Sequence, residues 1–135
     1  MKTHAFRLLN GDDLKKSIES YVTAQEIQAG YVITCVGGFS GAVLRMPGAK
    51  TFEHLEGDYE IVSIEGTLSP NGCHIHVSMS DIHGNVKGGH LSEGCIVRLT
   101  AEVVLAEDRQ FRFYRRFDQD TGFNELGIES AENSF

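Results

Sequence analysis

Ser69-Pro-Asn-Gly-Cys-His-Ile-His-Val-Ser-Met-Ser-Asp-Ile-His-Gly-Asn-Val-Lys-Gly-Gly-His-Leu91 is the stretch on which the fold turns. Between Cys73 and Ser80 apolar and polar residues alternate, the signature of a half-buried strand. Ile75, Val77 and Met79 go to a core, while His74, His76, Ser78 and Ser80 take the opposite face. Two imidazoles two residues apart on one strand face stand ~6–7 Å apart along the chain and can reach one metal ion. His90, behind Gly88-Gly89, is the natural third ligand if the chain folds back past the turn at His83-Gly84-Asn85. Glycines permit the close backbone approach that such a return needs. Three neutral imidazoles suit Zn²⁺ best, with Ni²⁺, Co²⁺ or Fe²⁺ as other divalent candidates, and leave a fourth position for water or a small-molecule ligand. Cys73 points to the other strand face and is not expected as a fourth ligand. His83 reads as a solvated turn residue.

Outward from this strand, Ser69-Pro-Asn-Gly72 is a turn signal joining it to an antiparallel neighbour, Tyr59 to Leu68, with Val62 and Ile64 on the buried face. Further upstream, Met46 to Asp58 reads as a surface loop, from which Glu53, His54 and Glu56 reach the metal only if the loop folds over it. Tyr31 to Val36 and Phe39 to Arg45 are β-rich and meet at a glycine kink, Gly37-Gly38. Gly38-Phe39-Ser40-Gly41 is not a nucleophile elbow, because that pattern needs glycine where Ala42 stands. Ala5 to Leu9 opens as a strand. Asp12 is the expected N-cap of a helix whose stripe is Leu14, Ile18, Tyr21 and Val22, and whose C-cap is expected at Gly30, about four turns on.

Downstream, Cys95 to Ala106 reads as a long strand, and Gln110 to Phe117 follows a turn at Glu107-Asp108. In that last strand Arg109, Arg112, Arg115 and Arg116 are interleaved with Phe111, Phe113, Tyr114 and Phe117. Such a run can grip a single nucleic-acid strand. Glu107, Asp108, Asp118 and Asp120 flank it, however, so the reading is an ordinary strand with core aromatics and ion-paired arginines. From Asp118 onward the chain reads as irregular, with Phe123, Leu126 and Ile128 as packing anchors. The fold class is therefore α+β: a curved, largely antiparallel sheet of about seven strands with one flanking amphipathic helix.

The 135 residues suffice for one domain, 1–135, with a self-sufficient core. A formal charge of −7 argues against a generic nucleic-acid binder. The three cysteines, Cys35, Cys73 and Cys95, are odd in number and never in C-x-x-C spacing, so a disulfide framework is not expected. No signal-peptide-like run and no long apolar stretch occurs. The expectation is a cytoplasmic protein with no membrane partner.

At this point the chain resembles the PPC (plants and prokaryotes conserved) domain in its stand-alone prokaryotic form. The resemblance rests on Arg7 to Leu14, Val36-Gly37, Leu44-Arg45, Tyr59 to Leu68, Gly72 to His76, Asp81, Gly84, Gly88 to Leu91, Thr100 to Val103 and Thr121 to Phe123. It implies an antiparallel sheet with a flanking helix assembled as a homotrimer. It also implies zinc at histidines matching His74, His76 and His90, and it brings the DNA-binding label that the family carries. Plant members sit behind AT-hooks. This sequence has no hook-like basic tail, so DNA is expected only as a weak or indirect partner. A distant relative with a three-histidine zinc site is linked to ester hydrolysis, which makes a metal-dependent hydrolase of a small ester or amide the alternative. No catalytic residue is assigned.

Overall fold

In the computed structural model, residues 1–48 and 50–132 are described. The final part of the C-terminal stretch expected to be irregular, residues 133–135, lies outside the described residues. Strand β1 (Lys2–Leu9) leads into helix α1 (Leu14–Ala24), followed by β2 (Gly30–Arg45) and β3 (Phe52–Ser69). The rest is strand: β4 (Gly72–Ser80), β5 (Val86–Leu91), β6 (Ile96–Glu107), β7 (Phe111–Phe117) and β8 (Asn124–Ser130). All named pairings are antiparallel, in the order β1-β6-β2-β3-β4-β5, with β7 and β8 forming a separate two-stranded sheet. Among the described residues there are eight strands, where about seven were expected, and the α+β class stands.

β2 decides the shape. It pairs with β3 along one edge. Its other edge is shared: Gly30 to Gly41 take β6, and Leu44 and Arg45 take Leu91 and His90 of β5. The strands β2, β3, β4 and β5 thus close on themselves. Such curvature needs bulges, and the register of β2 shifts at Val32/Thr34, Gly37/Gly38 and Phe39/Gly41. The glycine kink was legible in sequence. Its cause is contact, since a Cβ on Gly37 would lie 2.5 Å from the Thr100 carbonyl oxygen.

The core lies between α1 and the concave sheet. Leu14, Ile18 and Val22 from the helix meet Phe39, Leu44, Leu68, Val97, Val103 and Leu105, with Ile75, Val77 and Met79 from β4. The helix differs from expectation at both ends. Asp13, not Asp12, is the N-cap, its Oδ1 accepting from the Lys16 N–H at 3.0 Å. Asp12 instead accepts from the Leu9 N–H at 2.8 Å. The helix stops at Ala24, after about three turns. Glu26 adopts φ 54°, while the Ile27 N–H bonds the Val22 carbonyl and the Glu26 N–H bonds that of Thr23. This is the Schellman arrangement, sealed by buried Ile27 against Val22. Gly30 starts the next strand instead.

Three further corrections concern the strands. The loop expected over Met46 to Asp58 is short, because β3 begins at Phe52 and pairs Glu53 with Leu44 and His54 with Val43. Val62 is 56% exposed, beside the register shift between Ile61 and Ser63, whereas Ile64 does pack on the core. The arginine–aromatic strand is not a core strand. It pairs with β8, which occupies part of the stretch expected to be irregular, and Phe111, Phe117, Phe123 and Ile128 remain largely exposed. Among the described residues, no helix is long and apolar enough to cross a membrane.

Candidate metal centre and its cavity

The alternation of β4 survives intact. Ile75, Val77 and Met79 are buried, while His76 faces solvent and His74 is partly buried beside it. A turn closed by Asp81 sends the chain back. The Asp81 Oδ1 accepts from the N–H groups of His83 at 2.8 Å and Asn85 at 2.9 Å, and these bonds hold its carboxyl below the usual range. His83 stays exposed in that turn, as expected. β5 then runs beside β4 in a register that sets His90 opposite His76.

The glycines before His90 do what their place suggests. β5 is squeezed between two neighbours. A Cβ on Gly88 would lie 2.7 Å from the Val77 carbonyl oxygen, and one on Gly89 would lie 3.0 Å from that of Arg45. Only residues without side chains let β5 touch β4 and β2 at once.

The outcome is a cluster of His74, His76 and His90 with ligand atoms all within 4.8 Å of one another, which could hold a metal ion. His76 Nε2 lies 3.1 Å from His74 Nε2, and His74 Nε2 lies 3.3 Å from His90 Nδ1. Zn–N bonds of ~2.0–2.1 Å at tetrahedral angles separate neighbouring ligand nitrogens by ~3.3 Å. Two of the three donor separations lie near that edge, and the third, between His76 and His90, lies within 4.8 Å. Burial lowers the His74 imidazole below 6.5, with His76, Arg115, His90 and Arg45 adding to the effect. Burial also lowers His90, helped by Arg45 and then His76. Both shifts favour the neutral form that ligates metal.

The other candidates fall away from the cluster. Cys73 packs on the core beside both cavities, outside the three-histidine group, and burial pushes its thiol up to about 11. His54 is exposed on β3, and Glu53 pairs with Lys87 at 3.2 Å. Neither they nor Glu56 line the two cavities that touch His74 and His90.

Three residues that the sequence did not single out for the site do line the larger cavity, of about 460 Å³: Arg45, Arg115 and Glu125. Arg45 comes from the end of β2, directly opposite His90, and its Nη2 donates to His90 Nδ1 at 3.3 Å. Its guanidinium lies 5.6 Å from the centre of the Phe123 ring, within cation–π range. Arg115 comes from β7. Asn71, in the turn between β3 and β4, fixes it by accepting from the Arg115 N–H at 2.8 Å and donating to its carbonyl at 3.0 Å. Arg115 Nη2 donates to Thr67 Oγ1 at 2.7 Å, and burial lowers the guanidinium while Glu125 opposes that shift. Glu125 comes from β8. In sequence nothing said that the β7–β8 hairpin folds over the β3–β4 turn.

Comparison with known proteins agrees with this geometry. The description "Plants and Prokaryotes Conserved (PCC) domain" matches residues 1–108. A bifunctional protein GlmU of Synechococcus sp. (strain JA-3-3Ab) is 40% identical over 131 residues, 97% of this chain, although the chain spans only 21% of that protein's length. A hypothetical protein from Salmonella enterica superposes with a TM-score of 0.92 at 33% identity, covering 96% of this chain and 94% of the other. A metal-containing protein from Archaeoglobus fulgidus superposes with a TM-score of 0.79 at 28% identity, covering 94% of each chain.

Proposed function

The chain belongs to the Plants and Prokaryotes Conserved (PCC) domain family, and from that premise we propose that it is a homotrimeric association module carrying a three-histidine zinc site. The observation that carries the metal part is the convergence of three ligand nitrogens within 4.8 Å of one another. Two of their separations, 3.1 and 3.3 Å, are close to the edge of a zinc tetrahedron. The metal-containing relative from Archaeoglobus supports the same reading. Elemental analysis of the purified protein beside a His76→Ala variant tests it. About one zinc per chain is expected in the parent, with a clear loss in the variant, and equal metal in both refutes the site.

Association is supported by what the fold leaves uncovered. Ile33 and Val36 on β2, Val62 on β3 and Leu99 on β6 are each at least 49% exposed, on three strands adjacent in one sheet. β1 is an open sheet edge. Exposed apolar residues and open edges invite a second copy, and a cyclic ring satisfies both. The GlmU relatives carry the matching stretch within about a fifth of their length, as a module would. Sedimentation at low concentration is expected to give three times the 14.9 kDa chain mass. A monomer overturns the reading.

The second reading is a metal-dependent hydrolase of a small ester or amide. It is favoured by one observation, that Glu125 lines the same cavity as His74 and His90 and would offer a carboxylate for proton transfer there. Zinc-dependent turnover of an activated ester, lost in Glu125→Gln with zinc retained, supports it. Its absence leaves the module.

A further inference from the structure

We propose that the cavity beside the three histidines is a binding site for a small monocarboxylate, gripped by Arg45 and Arg115. The proposal deepens the metal-site reading and rests on it for the coupling described below, but the two arginines make the subsite whether or not the ion is zinc.

The first observation is an unanswered donor. Asn71 holds the Arg115 backbone and Thr67 its Nη2, yet among the described residues its buried Nε has no hydrogen-bond partner. A buried N–H of a charged group left unpaired is costly, so this one calls for an explanation. A guanidinium presents its N–H groups in a planar fork that matches the two oxygens of a carboxylate.

The second observation is the shared acceptor at Arg45. Its Nη2 donates to His90 Nδ1, the same atom that lies 3.3 Å from His74 Nε2 in the metal cluster. An imidazole nitrogen has one lone pair. When that lone pair goes to a metal ion, Arg45 loses its acceptor while Phe123 still holds the guanidinium over the cavity. Metal binding therefore frees a second fork beside the first and adds positive charge to the same wall. The cavity, about 460 Å³, has room for a small organic acid.

The third wall bears on the charge of the ligand. Glu125 also lines the cavity, and it repels a dianion such as phosphate twice as strongly as a monocarboxylate at the same distance. By linkage the metal and the carboxylate help one another, each tightening the other by the same factor.

The test uses the whole chain in metal-free and zinc-loaded form, titrated with acetate or with inorganic phosphate. The readout is the NMR signal of each arginine Nε–Hε group, assigned with Arg45→Gln and Arg115→Gln. Acetate is expected to move both signals along a saturating curve, about fivefold or more tightly in the zinc form, and to bind better than phosphate. The proposal is overturned if neither signal moves in either form, and the carboxylate assignment is overturned if phosphate binds more tightly. Equal acetate affinity with and without bound zinc removes the coupling. If elemental analysis finds no zinc while acetate still saturates both signals, the metal reading falls and the subsite stands. The direct readout on the parent protein keeps the test decisive even if a variant fails to fold.

Discussion

Replacing Gly88 with alanine tests whether the tight passage of β5 is what assembles the histidines. In an ordinary strand, glycine to alanine stabilises by about 0.5–1 kcal/mol, because glycine loses more chain entropy on folding. Here the new Cβ would lie 2.7 Å from the Val77 carbonyl oxygen and 3.3 Å from both Cα and Oγ of Ser78. The nearest of these atoms is backbone in a sheet ladder, so it cannot swing aside. Overpacking of this kind costs about 1–3 kcal/mol, and the net expectation is a loss of about 1–2 kcal/mol. For a chain of this size that lowers Tm by roughly 3–8 °C. If the strain is relieved by β5 moving off β4, His90 moves with it, and each 1.4 kcal/mol lost from metal binding is about tenfold in Kd. The assay is thermal unfolding of the metal-free protein together with a zinc competition titration. Gly41→Ala is the control, since its Cβ would meet only the Leu55 carbonyl oxygen at an ordinary 3.5 Å. A Gly88→Ala protein as stable as that control, with unchanged zinc affinity, refutes the reasoning.

Three further outcomes follow from the structure. Glu26→Gly should stabilise by about 0.5–1 kcal/mol, because Glu26 holds a left-handed φ of 54° that costs a side-chain-bearing residue about 1 kcal/mol; a urea midpoint that rises with an unchanged slope would show it. Since His74 and His90 are both held below 6.5 in the folded chain, the metal-free fold binds fewer protons than the unfolded chain just below that pH. Its stability should therefore be full above 6.5, fall as pH drops from there to the lowered folded values, and level off below them, as denaturant titrations across pH 4–7 can follow; zinc affinity should decline only as pH falls through and below those lowered values. With a net charge of −7, the protein should bind duplex DNA no better than roughly 10⁻⁴ M at physiological salt, and tight gel-shift binding would redirect attention to Arg112, Arg115 and Arg116.

The parts of this molecule that were legible in its sequence are those settled by near neighbours. The histidine strand was readable because Ile75, Val77 and Met79 give three clean inward positions, and strand parity then dictates where His74 and His76 stand. His90 was readable because only a short turn separates β4 from β5. By contrast, the start of β3 has Leu55 as its single core-facing apolar residue between Glu53 and Asp58, too thin a pattern to tell from a charged loop. The helix end was missed because glutamate, not glycine, takes the left-handed position at 26. β8 was missed because the chain from Asp118 onward is largely polar, whereas in the fold it pairs with β7, where Gly127 stands opposite Tyr114 and leaves room for that ring.

The same distinction explains why the three clustered histidines were visible and the arginines were not. His74, His76 and His90 lie on adjacent strands joined by one turn, so bringing them together needs little loop closure. Arg45 reaches them only because β2 is long and kinked enough to hand its edge from β6 to β5, a consequence of three bulges and the overall curvature. Arg115 reaches them only because Asn71, a turn residue whose sequence role was to end one strand and start the next, also bonds the backbone of β7. Closure of the sheet and docking of the hairpin are tertiary events, decided by packing of the whole chain. A cluster built on local pairing was thus open to a sequence reading, while the cavity beside it, lined by Arg45, Arg115 and Glu125, had to wait for the fold.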